Sequence, residues 1–254
     1  MRKLAVYIAM LCLLFGSAGR TLGQDTLKKA QKTYKNVIRY NLSGAMFFGV
    51  NRYVVFGYER VVAPHQSFSV NVGVAGLPKF ASINTDSFNL SKDLKNNGFN
   101  ISADYRFYLA KENRYAPPHG LYIGPYASYS HFRRDNTWTF QNGGSGQKLV
   151  TTSTQLNIST VGGELGYQFV LWKRLALDLV MIGPGLAFYD MEAQIQSNLS
   201  DAQKQQLQQA VEQLITQKFP GMNYVFSGKT FNGNGTIHTG NFGFRYIIHI
   251  GFVF

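Results

Sequence analysis

Apolar and polar residues alternate at every second position through most of the chain, the period of a strand with two unlike faces. Phe99, Ile101, Ala103, Tyr105, Phe107 and Leu109 share one parity, and Asn100, Ser102, Asp104, Arg106 and Tyr108 share the other. Phe68, Val70, Val72 and Val74 alternate with Ser69, Asn71, Gly73 and Ala75. The last run sets Phe242, Phe244, Tyr246, Ile248, Ile250, Phe252 and Phe254 against Asn241, Gly243, Arg245, Ile247, His249, Gly251 and Val253. After Phe15 no uncharged apolar stretch reaches the ~18 residues that a helical membrane span needs.

The alternation predicts eight strands, at 37–49, 53–62, 67–77, 98–110, 120–132, 154–170, 174–189 and 238–254. A bulge is expected near Gly183-Pro184-Gly185, where the apolar parity shifts from Leu175, Leu177 and Leu179 to Leu186 and Phe188. The connections 63–66, 111–119 and 171–173 are short. Apart from a tight turn at Asn51-Arg52, the others, 78–97, 133–153 and 190–237, are long. Short turns at one end and long loops at the other are the habit of a transmembrane barrel. The even strand number puts both termini on the short-turn side. The expected fold is all-β, an eight-stranded antiparallel transmembrane barrel over 36–254, preceded by a short periplasmic segment at 24–35.

Period two alone does not separate a lipid-facing barrel from a soluble one that turns its apolar face inward. The mixed face carries Arg39, Glu59, Asp104, Arg106, Glu164, Asp178 and Arg245 among Gly57, Gly124, Gly166 and Gly243, and no Lys lies well inside a strand. A solvated face would use Lys freely, whereas a crowded interior favours paired Arg and carboxylate. These seven residues are read as a structural charge cluster that fills a narrow interior, with His249 beside it. The apolar face is large along whole strands and carries Tyr40, Tyr58, Phe107, Tyr129, Tyr167 and Phe169 near strand ends, as an interfacial girdle would. The rival is a soluble periplasmic barrel that binds an apolar ligand.

The run Phe242 to Phe254, with Phe242, Phe244, Tyr246, Ile248, Ile250, Phe252 and Phe254 on one face, resembles the C-terminal sorting strand of bacterial outer-membrane barrels. That resemblance implies the barrel-assembly machinery as a partner during biogenesis. The stretch from Asn36 to Leu42, Gly57-Tyr58-Glu59-Arg60, Asp104-Tyr105-Arg106-Phe107-Tyr108-Leu109 and Gly120-Leu121-Tyr122-Ile123-Gly124-Pro125-Tyr126 resemble a family of small Bacteroidota outer-membrane barrels of undefined function. The resemblance implies fold and location, supplies no catalytic residues, and hints at a role accessory to a surface assembly.

Composition adds export. Met1-Arg2-Lys3, the apolar run Leu4 to Phe15 and small residues up to Gly23 read as a cleaved signal peptide over 1–23. Cleavage removes Cys12, the sole cysteine, so neither disulfides nor thiol chemistry are expected. It also removes Arg2, Lys3 and Arg20 from a formal net charge of +12. Most of the remaining excess falls on the short-turn side: Lys28, Lys29, Lys32, Lys35, Arg60, Lys111, Arg114, Lys173 and Arg174, against Asp25 and Glu112. Acidic phospholipid headgroups are the natural counter-charge there. No dense basic stripe suggests nucleic acid.

Ser200-Asp201-Ala202-Gln203 reads as a capping box that opens a helix over about 201–219, stopped by Pro220-Gly221. Leu207, Ala210, Val211, Leu214 and Ile215 form its apolar stripe, which either folds onto the barrel rim or docks a partner. Catalytic chemistry is hard to find. There is no phosphate-cradling loop and no Gly-x-Ser-x-Gly elbow, and the five His are scattered at 65, 119, 131, 238 and 249. Ser130 and His131 bear on a lipid-modifying enzyme but fall on opposite faces. No catalytic, metal or cofactor residues are expected. The expected partners are outer-membrane lipid and a surface protein met through the outer loops.

Overall fold

A computed structural model of the chain describes residues 34–76, 88–113, 115–141, 147–196, 200, 202, 205 and 235–254. The strands are β1 (Asn36–Asn41), β2 (Tyr53–Ala63), β3 (Gln66–Ala75), β4 (Phe88–Tyr108), β5 (Gly120–Gln141), β6 (Gln147–Leu171), β7 (Leu175–Gln196) and β8 (Gly235–Val253), and the helix α1 (Leu42–Phe48) lies between β1 and β2. Each strand pairs antiparallel with its sequence neighbour, and β8 returns to β1, so the sheet is a closed ring. Asn36 and Phe254 exchange backbone hydrogen bonds of 3.1 and 2.8 Å, which brings both ends of the ring to the short-turn side.

The first strand is shorter than its hydrophobicity predicts. Residues 37–49 divide into β1 and α1 because Asn41 leaves the strand and caps a helix, its side chain accepting from the Gly44 N–H at 2.8 Å. Gly49 ends the helix at φ +96°, a left-handed conformation that favours glycine, and its N–H bonds back to the Ala45 carbonyl at 2.9 Å. The helix replaces the upper part of the strand in the wall. Ser43, Gly44 and Ala45 are buried, while Met46 and Phe47 point out, Phe47 at 82% exposure. The Ser43 hydroxyl accepts from the Ile248 N–H of β8 at 3.2 Å, so the helix also serves the neighbouring strand edge.

Strands β4 to β8 run farther than predicted. Much of 133–153 and the flanks of 78–97 and 190–237, expected as loops, is paired strand: Phe88 pairs Phe140, Gln141 pairs Gln147, and Ala193 pairs Gly235. These extensions rise above the tops of β2 and β3, where Tyr53 pairs Ala75. The ring is therefore low at β1–β3 and tall at β4–β8. The β7 irregularity lies between Val180 and Gly183, slightly before the predicted Gly183-Pro184-Gly185, and resets the parity there. The signal peptide expected over 1–23 and the stripe Leu207, Ala210, Val211, Leu214 and Ile215 lie outside the described residues; Ala202 and Gln205 are helical.

The interior is stacked in layers. Val37, Ala176 and Val253, with Tyr34 and Val170 against them, seal the short-turn end. Ala75, Phe132, Leu156 and Met191, with Tyr53, Ile158 and Tyr189, form a second apolar layer near the tops of the short strands. Between them lies a polar layer of Arg39, Glu59, Ser67, Ser69, Asn71, Asp104, Arg106, Gln168, Asp178 and His249, all buried.

The outer face has the opposite character. Ile38, Phe56, Val70, Val72, Val74, Phe99, Ile101, Phe107, Ile123, Val161, Leu186, Phe188 and every second residue from Phe242 to Phe254 are exposed. Neighbouring rings on this face pack against one another, as in Tyr40–Phe56 at 5.2 Å, Phe99–Tyr129 at 5.8 Å and Tyr167–Phe169 at 4.4 Å between centroids.

Candidate functional site

The polar layer is built by strand parity. Arg39 on β1, Glu59 on β2, Asp104 and Arg106 on β4, Glu164 on β6, Asp178 on β7 and Arg245 on β8 each point inward, and the ring brings the seven together. The Arg39 guanidinium donates to Asp178 Oδ2 at 2.9 Å, to Asp104 Oδ1 at 3.1 Å, to Asn71 Oδ1 at 3.1 Å and to the Ser69 hydroxyl. Arg106 donates from Nε to Asp104 Oδ2 at 2.7 Å, and its terminal nitrogens reach Asp178 Oδ2 at 2.9 Å, Gln168 Oε1 at 2.8 Å and Glu59 Oε2 at 3.4 Å. Its guanidinium carbon stands 4.2 Å from the centre of the Tyr122 ring. Two planar forks thus serve three carboxylates, a geometry open to Arg and closed to Lys.

Arg245 and Glu164 form a second pair, with the Arg245 guanidinium carbon 3.4 Å from the centre of the Tyr126 ring. Glu164 Oε1 also stands 3.9 Å from Arg106 Nε, which links the pair to the main network. Tyrosine and serine hydroxyls fill further acceptor sites of Glu59 and Asp178, whereas the buried Glu164 Oε1 accepts no hydrogen bond among the described residues. Tyr108 and Ser67 donate to Glu59 Oε1 at 2.8 and 2.6 Å, and Tyr122 donates to Asp178 Oδ1 at 2.7 Å. His249 Nδ1 lies 3.1 Å from Asp178 Oδ2. His249 was expected beside the cluster; Ser67, Tyr108 and Tyr122 were not, and inward parity was the signal that could have found them.

Glycine makes the room. A Cβ at Gly57 would sit 2.1 Å from Asn71 Oδ1 and 3.0 Å from Arg39 Cγ, so the Arg39 side chain crosses the barrel over a strand without a side chain there. A filled, ion-paired interior between two apolar layers can hold the wall rigid. Arg134 is a further buried cation, higher in the barrel on β5, where a loop was expected.

Ser130 and His131 stand on opposite faces of β5. The Ser130 hydroxyl accepts from Asn100 Nδ2 at 2.8 Å, while His131 Nδ1 lies 2.6 Å from Asn157 Oδ1 and packs its ring on Phe99. Among the described residues no three His, Cys, Asp or Glu side chains converge as a metal site.

At the short-turn end, His119 packs beneath the rings of Tyr115, Tyr167 and Phe169, and Nδ1 accepts from the Val170 N–H at 3.3 Å. Partial burial holds this imidazole below its ordinary range. A depressed folded value means its contribution is present above the unfolded pKa, about 6.5, and is lost as the pH falls through the folded one. Acidification below that range should therefore loosen the 109–119 turn. Proteolysis at Lys111 followed against pH should show the loosening in the native chain and not in His119→Gln; identical profiles would exclude His119 as the cause.

A closed antiparallel ring with a charge-paired interior and an apolar exterior defines the class of the fold. The chain belongs to the family described as "Protein of unknown function (DUF3575)", whose model matches residues 54–218. Among solved structures it is similar to a major outer membrane protein from Thermus thermophilus, at 9% identity and a TM-score of 0.34, over 87% of this chain and 100% of that one. No curated protein matches the chain.

Proposed function

We propose that this chain is an outer-membrane β-barrel that works as a structural or interaction module, holding its tall outer extension above the lipid on a rigid, non-conducting wall. The observation that carries this reading is the inversion of polarity across the wall. Aliphatic and aromatic side chains cover the outside, whereas Arg, Asp and Glu occupy the inside. In water that arrangement leaves a large apolar surface uncovered; in a bilayer it satisfies both faces, because a closed ring leaves few backbone groups unpaired. A soluble barrel for an apolar ligand needs an apolar interior, and the middle of this one is ionic.

The working part is then the extension. Its strands carry Asp135, Asp190, Glu192, Arg133 and His238 in paired polar contacts, such as Arg133–Asp135 at 3.6 Å, a surface suited to polar contacts with a protein outside the cell. Fractionation tests the first half. The chain is expected in the outer membrane and extractable only with detergent; recovery in the soluble periplasm would end the membrane reading. Purification from native membranes with and without residues 200–219 tests the second half. Loss of co-purifying proteins supports docking through this loop, and an unchanged set counts against it.

A further inference from the structure

The turn between β6 and β7 spans three residues, Trp172, Lys173 and Arg174, with the Arg174 N–H bonded to the Leu171 carbonyl at 3.1 Å. Trp172 and Lys173 are left-handed, at φ +48° and +66°. Hairpin turns with two left-handed residues favour Asn-Gly, because a Cβ strains that backbone. This chain places two large side chains there instead. Trp172 is 84% exposed and Lys173 is exposed, and neither makes a hydrogen bond or ion pair with a described residue. Among the described residues no hydrogen bond or ion pair offsets the strain, a pattern met where a residue serves a binding site.

Around the turn the charge is one-sided. Arg174 is clamped in place: it donates to the Val253 carbonyl at 3.3 Å, and its guanidinium carbon lies 4.1 Å from the Tyr34 ring centre and 5.4 Å from that of Phe252. Lys35, Arg60 and Lys111 are exposed on the same rim, and Glu112 is the one acidic side chain among the described residues of these turns. All of this stands where the apolar belt ends, below Phe107, Phe169 and Phe252. Indole prefers the boundary between hydrocarbon and water, and an ammonium beside it meets phosphate as a point charge.

We propose that the Trp172–Lys173 turn, backed by Arg174 and its neighbouring cations, is a binding site for the phosphate headgroup of anionic phospholipid in the inner leaflet. This rests on the membrane reading above. Position favours lipid over an acidic peptide, because Trp172 continues the lipid-facing belt and does not sit apart from it.

The test uses the full chain with Trp172→Asn/Lys173→Gly, which installs the residues this turn prefers and so keeps or improves folding. Native and variant barrels are inserted into vesicles of phosphatidylcholine and of an equimolar mixture with phosphatidylglycerol, and the lipid that stays bound after detergent extraction is identified by mass. The native barrel should retain phosphatidylglycerol preferentially, and the variant should lose about fivefold of that preference, the weight of one surface cation. Equal preference in both, or none in the native barrel, overturns the site while leaving the membrane reading intact. Insertion into neither vesicle removes the membrane reading and the site with it.

Discussion

Exchanging Arg106 for leucine should lower the stability of the folded barrel by about 3–5 kcal/mol, the range met when one partner of a buried ion pair is lost. Arg106 meets Asp104 at 2.7 Å, Asp178 at 2.9 Å and Glu59 at 3.4 Å with no exposed side-chain surface of its own. Without it, three buried carboxylates share Arg39, and Gln168 Oε1 loses its closest donor. Stacking on Tyr122 is lost as well, although leucine recovers part of the packing. Arg106→Lys should fall between, since it restores charge but not a planar fork. Adding Asp104→Leu to Arg106→Leu should recover part of the loss, because it removes a carboxylate with nothing left to pair it. Urea titration of the refolded barrel in vesicles reads all three, and a loss under about 1 kcal/mol for Arg106→Leu, at the level of an exposed pair, would show that the network does not hold the wall.

Val72→Arg should cost about 2–4 kcal/mol in a bilayer, the penalty for a cation near the midplane of a barrel's lipid face. Val72 lies on the outer face of β3, flanked by Val70 and Val74 and in register with Phe56 and Ile101, and is 57% exposed. In water the same exchange would stay within about 0.5 kcal/mol, because an exposed site tolerates Arg. Leu149→Arg, at a 66% exposed apolar position on the tall extension, is the matched control and should be neutral in both settings. The medium thus decides the size of the effect. Equal stability of native and Val72→Arg barrels in vesicles would mean that this face does not meet lipid.

The parts of the fold that the sequence makes plain are those where two unlike media press on one strand. Phe242 to Phe254 reads cleanly because its outward residues are all large and apolar, whereas its inward ones mix glycine, polar and apolar side chains. The seven charged interior residues were legible for the same reason, and the structure brings them together. The extensions were not. Along Asn89, Lys92, Asp93, Lys95, Asn96 and Asn97, and along the Thr-rich stretch from Thr151 to Thr154, polar residues fall on both parities, so no period of two survives. Pairing there is carried by the ladder and by β-branched residues rather than by amphipathicity. Helix α1 escaped for another reason. Residues 37–49 are apolar enough for a strand, and the departure depends on one local hydrogen bond, from the Gly44 N–H to Asn41 Oδ1. The tyrosines and serines that complete the network are ordinary residues whose role depends on which strand stands opposite.

The substitution of α1 for the upper part of the first strand gives the cylinder a tear line. The β1–β8 ladder runs only from Val37–Val253 to Asn41–His249, whereas β5–β6 is continuous from Gly120–Gln168 to Gln141–Gln147. The β1–β2 ladder is as short, from Asn36–Arg60 to Tyr40–Phe56, so a load that pries the wall apart meets least resistance along the two edges of β1, where the ends of the ring also lie. Unzipping would start there and peel outward strand by strand, and the final act of assembly, running in reverse, is the closing of one short zip with a helix as its stop.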